Sequence, residues 1–433
     1  MMVTAALPAQ PTISVIPGEQ MRADLAGSRV EPATGGAWRV VIRMANDNDL
    51  PNGVLPVGFR RWWHVRLSGL DPNVAEVLNV EVTNSEYSDT ITPVWSLDGG
   101  QTYTRIDTTP TTNNNTIRFT LRPPAGTTTL RVAKYFPYTL AMYDAFREEF
   151  RTHRHVQESV IGLSEEGRPI WLYEFTNRSV PNTHKRRAWI HSAVHPSENT
   201  AFFNCEGLIR WLVGGSAEAE RTLENLIITV VPMANPDGVY HGNYRTNARG
   251  VNIEPEWSAP YNSQVREIVA LRTEIERLMG QENAPAPNPI ELLLNLHAAH
   301  GSGGPFHFVH TGNYLVNGTG VLPLVRDLEL RWVGLFRARS PFLARFPNDM
   351  TSALTGRPFV ESMMHDRYTL SGVWPPVMAI TFEGTYQAGP VPGVPGTDDD
   401  YREVGRAMGL AIADYFEIDL TAPGPAPEVW WML

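Results

Sequence analysis

The chain has 433 residues, 42% of them hydrophobic and 19% charged, a composition that supports a sizeable core and excludes a disordered chain. Its length exceeds one ordinary domain and points to two or three. A net charge of −10 argues against nucleic acid and anionic membranes as partners, and no apolar run approaches the ~20 residues of a membrane span.

The opening stretch, MMVTAALPAQPTISVIPGEQ, lacks a basic start and an unbroken apolar core. It does not read as a signal peptide, and cytoplasmic residence is expected. The single cysteine, Cys205, can form neither an internal disulfide nor a cysteine-rich metal site. Any bound metal must therefore be held by histidine and carboxylate. Cys205 lies in an apolar helical stretch and reads as a packed side chain.

Residues 1–137 read as an all-β sandwich domain, with the first 35 or so expected to be loosely ordered. WRVVIRM, RRWWHVRLSG, VLNVEVTN and TIRFTLRPP alternate in polarity and are separated by turn-rich stretches such as SLDGGQTY and TTPTTNNNT. Trp62, Trp63 and Trp95 read as core or sheet-face residues. At KYFPYT the pattern changes. LAMYDAFREEFRTH has helical spacing, and residues 138–420 then alternate strands with helices, the signature of an α/β domain around a buried sheet. RAWIHSAV, LIITVVPM, ELLLNLHA, FHFVH and VMAITFE read as strands; NCEGLIRWLV, AEAERTLENL, QVREIVALRTEIERLMG, PLVRDLELRWVGLF and YREVGRAMGLAIADYF read as helices. AGPVPGVPGTDDD is a Pro/Gly loop between the last strand and the last helix, and 421–433 is a tail with no fold of its own, whose Trp430 and Trp431 could dock elsewhere on the protein.

A hydrolytic zinc site takes three protein ligands and keeps one position open. His195-Pro-Ser-Glu198 offers a closely spaced pair. The spacing alone is weak, because His155-Val-Gln-Glu158 shares it in what reads as a polar, exposed helical end. Context separates the two: His195 follows an apolar strand and precedes a helix, at the strand end where open α/β sheets collect ligands. The plain alternative is a turn histidine beside a helix-capping glutamate. A third ligand belongs at another strand end, and His297, closing ELLLNL on the same face as Asn295, leads the rivals His300, His307 and His310. Glu383, ending the buried run VMAITFE, fits a catalytic base held near the metal; a structural ion pair is the alternative.

HPSE, NPDG (Asn235 to Gly238), Arg245 in NYRTN, NLHA with His297 and ITFE with Glu383 occur in an order that resembles the zinc carboxypeptidase family. KYFPYT and GLSEEGRPIWLYEF resemble its cytosolic carboxypeptidase branch, which also carries an N-terminal β-sandwich. The resemblance implies a carboxypeptidase-like α/β/α domain with a mixed central sheet and one zinc ion held by His195, Glu198 and His297. It also implies Glu383 as the base, Arg245 as the group steadying the oxyanion, and Tyr368 as a candidate for the mobile active-site tyrosine. Two histidines and a glutamate are the ligand set of carboxypeptidase A, and the assignment of that set to these three residues rests on the resemblance.

One departure stands out. Where the family reads Gly-Val-Asp/Asn-Leu-Asn-Arg, this chain reads Gly250-Val251-Asn252-Ile253-Glu254-Pro255. In the family the Asn-Arg pair grips the substrate's terminal carboxylate; here an acid occupies its place. Like charges about 4 Å apart repel by roughly 1 to 4 kcal/mol, about tenfold to several hundredfold in affinity. Arg249 or Arg367 could supply the grip from another direction, Glu254 could greet an amine or guanidinium, or the loop could leave Glu254 exposed. Arg249, Asn252 and Glu254 are thus the candidate substrate contacts. The expected partner is a peptide or small amide substrate, cleaved by a peptidase or, alternatively, by a zinc amidase or deacylase on the same scaffold. A silent binding module would have no need of both Arg245 and Glu383. Nothing in the sequence sets the oligomeric state.

Overall fold

The computed structural model describes residues 10–47, 60–85, 90–257, 264–299, 303–352 and 358–421. The alternating segments of the first third form β1 (Thr12–Ser14), β2 (Arg29–Pro32), β3 (Trp38–Arg43), β4 (His64–Ser68), β5 (Leu78–Thr83), β6 (Val94–Ser96), β7 (Thr104–Arg105), β8 (Thr111–Asn113), β9 (Thr116–Leu121) and β10 (Thr129–Ala133). They pair into two five-stranded sheets, β1-β4-β10-β6-β7 and β2-β3-β5-β9-β8, antiparallel except where β3 meets β5. Period-two alternation turns Val40, Ile42, Val80 and Val82 of one sheet toward Val65, Leu67, Leu130 and Val132 of the other, in one buried cluster. Trp63 belongs to that cluster, Trp95 packs against it, and Trp62 is buried beside Tyr135. Residues 10–35 are tied down more firmly than their composition suggests. Residues 12–32 already contain two strands, and Gln20 is wholly buried, held by long-range hydrogen bonds that a local pattern does not reveal.

The second part begins with α1 (Leu140–Phe150), capped by Thr139, whose hydroxyl accepts from the Met142 N–H. Its remaining elements are β11 (Val156–Leu163), β12 (Pro169–Phe175), β13 (Arg186–Ser192), α2 (Asn199–Val213), α3 (Ala217–Asn225), β14 (Leu226–Val231), α4 (Pro236–His241), α5 (Arg266–Met279), the short hairpin of β15 (Gly280–Gln281) and β16 (Ala284–Pro285), β17 (Ile290–Ala299), β18 (Phe306–His310), α6 (Tyr314–Asn317), α7 (Pro323–Arg339), α8 (Pro341–Ala344), β19 (Met350–Ser352), α9 (Val360–Met363), β20 (Met378–Thr385) and α10 (Asp398–Tyr415). Eight strands form one mixed sheet, β11-β12-β14-β13-β17-β20-β18-β19. β14, β13, β17 and β20 run parallel in its middle, and antiparallel strands flank them. The central strands are apolar on both faces because helices cover both sides. Ile190, Leu294 and Ile380 face the cluster shared with α2, α7 and α10, while Trp189, Leu293 and Ala379 face the one shared with α5.

This is the expected α/β arrangement behind an all-β part, with one local correction. His155 to Glu158 is not an exposed helical end. His155 is 4% exposed and pairs with Glu220 at 2.9 Å, and the chain then enters edge strand β11. An edge strand with solvent on one side carries enough polar residues to pass for a helix surface. Cys205 is buried in α2 as anticipated. The tail with Trp430 and Trp431 lies outside the described residues. Among the described residues, no helix is long and apolar enough to cross a membrane.

The helix that begins at Glu198 is fixed from behind by α10. Gly207 and Gly405 let the two backbones touch: a Cβ on Gly207 would lie 1.8 Å from the Arg402 carbonyl oxygen, and one on Gly405 would lie 1.8 Å from that of Asn204. Gly405→Ala should therefore lower stability by about 1 to 3 kcal/mol, read as an earlier urea midpoint; an unchanged midpoint would show that the crossing can loosen freely.

Candidate metal and active site

Four chain segments meet at the C-terminal ends of the parallel strands. β13 ends at Ser192, and Ala193 then takes a left-handed conformation (φ 59°) that turns the chain toward His195. A non-glycine residue there costs about 1 to 2 kcal/mol, a strain that recurs at functional turns. Glu198 closes the turn at the N-terminus of α2. His297 stands near the end of β17, paired in register with Glu383 on β20. Asn235 caps α4 by accepting from the Gly238 N–H at 2.9 Å, and its amide donates to the Val194 carbonyl, tying NPDG to the His195 turn.

The donor atoms converge. His195 Nδ1 lies 2.8 Å from Glu198 Oε1, His297 Nδ1 lies 2.7 Å from Glu198 Oε2, and the two Nδ1 atoms are 3.0 Å apart. The opposite ring nitrogens are turned toward acceptors. His195 Nε2 is 3.1 Å from Asn252 Oδ1, an oxygen that also accepts from the Glu254 N–H. His297 Nε2 is 3.3 Å from Glu254 Oε2, and Glu254 Oε1 accepts from the Asn295 amide at 3.0 Å. The Asn252 oxygen at His195 Nε2 favours the tautomer whose Nδ1 lone pair faces inward, and the Glu254 charge behind His297 favours a ring whose Nε2 carries hydrogen, the arrangement found behind metal-bound histidines.

The electrostatics point the same way. Burial works to raise Glu198, but His195 and His297 prevail and hold its carboxyl well below the usual range. Burial works to lower His297, yet Glu254 and Glu198 hold its imidazole well above the usual value. Burial and then Arg245 lower His195. The cluster thus draws positive charge to its centre, as a proton on His297 or as a metal ion displacing that proton. The three ligating atoms lie within 4.8 Å of one another, and His195, Glu198 and His297 could hold a metal ion.

A cavity of about 260 Å³ opens over this cluster. Glu383 and Arg245 stand on its walls, with Arg245 Nη1 3.9 Å from Glu198 Oε1. Burial and then the Glu198 charge push the Glu383 carboxyl up to about 8. The far end is formed by Phe308, His310, Ser352, Phe359, Glu361 and Thr381. Glu361 accepts from the Thr381 hydroxyl, and burial followed by the Glu254 charge raises its carboxyl above the ordinary value. Glu361 was not foreseen from sequence; an acid inside the apolar run PFVESMM was the available signal.

His195, Glu198, His297, Glu383, Arg245, Asn252 and Glu254 are thus brought together, and two expected residues are not. Arg249 is half exposed, donating to the Gln264 carbonyl at 2.9 Å and lying 3.8 Å from Glu165. Tyr368 is 1% exposed in a π-helical turn, Met364–Thr369, its ring set edge-on to Trp374 at 5.0 Å in the α5-side core. Tyr368 is not among the described residues that line the cavity. Arg367 pairs with Glu276 at the surface. Of the rival histidines, His307 is buried against Asp349 and Phe336, His310 lines the cavity with Nδ1 2.5 Å from Glu329, and His300 lies outside the described residues.

Residues 141–297 match the zinc carboxypeptidase family, so the chain carries a zinc carboxypeptidase domain. Within that class it is similar to cytosolic carboxypeptidase 6 of Mus musculus, 23% identical over 303 residues that cover 66% of this chain and 51% of that protein. A shorter match, to cytosolic carboxypeptidase-like protein 5 of Bos taurus, reaches 32% identity over 149 residues, 33% of this chain and 16% of that one. The chain spans about half the length of the first of these relatives and much less of the second. Its fold is similar over most of its length to a metallo-carboxypeptidase from Burkholderia cenocepacia (TM-score 0.75, 20% identity, 94% of this chain and 99% of that chain). A metallo-carboxypeptidase from Pseudomonas aeruginosa, in complex with (2-guanidinoethylmercapto)succinic acid, aligns as fully (TM-score 0.73, 22% identity, 94% and 99%). Both likenesses include the all-β part.

The contacts of Glu254 yield a test of the metal site that needs no substrate. Glu254→Gln keeps an acceptor but removes the charge behind His297, and should weaken zinc binding by about tenfold to a hundredfold in a chelator competition. Unaltered affinity would mean that Glu254 does not orient the ligand.

Proposed function

We propose that this chain is a zinc-dependent hydrolase that cleaves a peptide or isopeptide amide bond, with His195, Glu198 and His297 holding one zinc ion. The observation that supports it most directly is the shared cavity, which gathers three converging donors, a further carboxylate and a guanidinium. Zinc bound there supplies Lewis-acid polarisation of a carbonyl and makes water more acidic. Glu383 accepts the proton from the attacking water and delivers it to the leaving amine, a role that suits a carboxylate whose proton affinity is raised by its surroundings. Arg245 places fixed positive charge where the oxyanion develops, a contribution often worth roughly 3 to 4 kcal/mol. The names of the relatives carry cytosolic residence, and the same residence is proposed here by similarity.

Recognition of the substrate end is altered. Among the described lining residues Arg245 is the sole arginine or lysine, and Glu254 and Glu361 add negative charge to the same cavity. A free acid is repelled there, whereas an amide, or a group bearing an amine or guanidinium, is not. Neither Arg249 nor Arg367 offers the missing grip, since both are engaged away from the cavity.

Three measurements check the proposal. A chelator should abolish hydrolysis and zinc should restore it. Glu383→Gln should keep its zinc and lose at least about a hundredfold in kcat; near-normal turnover would remove Glu383 as the base. Benzoyl-glycyl peptides ending in a free neutral acid, an amidated residue or arginine should differ by about tenfold or more, with the free neutral acid poorest. A clear preference for that free acid would overturn the altered recognition.

A further inference from the structure

The all-β part does not merely sit beside the cleft; two of its buried polar side chains reach the loops that carry the active site. Gln20, wholly buried, donates from Nε2 to the Pro196 carbonyl and to Asn199 Oδ1, each at 2.7 Å, and accepts from the Tyr138 N–H at 2.8 Å. It therefore braces the turn between His195 and Glu198. Its own backbone is held at φ 52°, a strained value for glutamine.

Asp47, just beyond β3 and 7% exposed, reaches the other loop. Its Oδ1 accepts from the Tyr244 N–H at 2.7 Å, and its Oδ2 accepts from the Arg245 and Thr246 N–H groups at 2.8 Å each. Three consecutive backbone donors on one buried carboxylate fix the position and direction of that segment, because such charge-assisted bonds are short and strong. The loop passes the restraint on. The Tyr244 carbonyl accepts from the Ser197 hydroxyl at 3.2 Å, and Gly242 turns in a left-handed conformation so close to the Met21 carbonyl that a Cβ would lie 2.5 Å from it. Arg61, also from the all-β part, lies over the Tyr244 ring at 5.8 Å.

We propose that Asp47 is a positioning residue that aims Arg245 at the oxyanion, making the all-β part a working half of the active site. A guanidinium that stabilises developing charge must already be in place when that charge appears. Arg245 sits on a loop with no strand or helix of its own, so its aim depends on what grips its backbone, and Asp47 grips the N–H of Arg245 and of both its neighbours.

This rests on the hydrolase reading given above, so the test carries one readout that needs no substrate. Asp47→Asn is near-isosteric but replaces one accepting oxygen by an amide that can only donate. With zinc bound, deuterium uptake by the segment 243–247 should rise at least about threefold in the variant, while zinc affinity stays within about threefold of wild type. On whichever benzoyl-glycyl peptide is hydrolysed best, kcat should fall by about tenfold to a hundredfold, with KM nearly unchanged. In an Arg245→Ala background the same substitution should cost less than about twofold, because the group it aims is gone. Unchanged uptake in 243–247, or losses that simply multiply with Arg245→Ala, would overturn the assignment. If Asp47→Asn does not fold, Asp47→Glu, which keeps the charge but lengthens its reach, is read by the same criteria. Absence of hydrolysis in the wild type would count against the hydrolase reading alone and leave the exchange result standing.

Discussion

The rest of the structure depends on turning two imidazole lone pairs and one carboxylate toward a single point. Left to themselves these groups repel, and burying them without a cation is costly. The fold enforces the arrangement by giving each group a separate anchor: a strained turn after β13, the N-terminus of α2 and the end of β17. The anchors are in turn fixed by parallel register, which sets His297 beside Glu383 and Asn295 beside Thr381. A slip of one residue in β17 would send His297 to the opposite face and bring Leu296 to the cavity. Parallel strands covered on both sides resist such slips, which suits them to carry the ligands.

Glu254 and Pro255 are where the chain departs from the family pattern it resembles. Asn252 stands behind His195, and Glu254 stands behind His297. Asn252 meets the His195 ring nitrogen that faces away from the cluster, and Glu254 adds negative charge to the cavity lining. Glu198, Glu254, Glu361 and Glu383 face the cavity against Arg245 among the described residues. That balance suits a bound dication.

Strand ends were legible in the sequence because burial leaves a clear mark there. His195, His297 and Glu383 each close an apolar run, and a polar group at such a position is costly unless it has a task. Most of the α/β elements were legible for the same reason, through period and apolar content. What stayed hidden depends on rotation or distance. Tyr368 is carried to the core by a π-helical turn that no spacing rule anticipates, and Arg249 is drawn outward by Gln264 and Glu165. Edge strand β11 exposes alternate residues and so imitates a polar helix end. Asp47 and Gln20 lie in stretches with no motif to mark them, and their partners are some 180 to 200 residues away, beyond any local pattern.

That distance also bears on what counts as the functional unit. The stretch matched to the zinc carboxypeptidase family, 141–297, contains the three proposed ligands, Arg245, Asn252 and Glu254, but neither Glu383 nor the groups that brace the two loops. Glu383 arrives with β20, the strand that pairs with β17. The braces arrive with the all-β part, which also stacks Tyr135 on Tyr386 at 3.9 Å and sends Arg105 to the Tyr386 and Gly396 carbonyls. Tyr386 in turn donates to the carbonyl of Ala298, next to His297. Contacts from the all-β part therefore meet the α/β part on the His195 turn, on the Arg245 loop and behind the end of β17. A boundary crossed by so many buried hydrogen bonds next to the reacting groups is not a hinge between independent modules. It holds from behind the loops that carry His195, Glu198 and Arg245, so the geometry of the proposed site is a property of the two parts together.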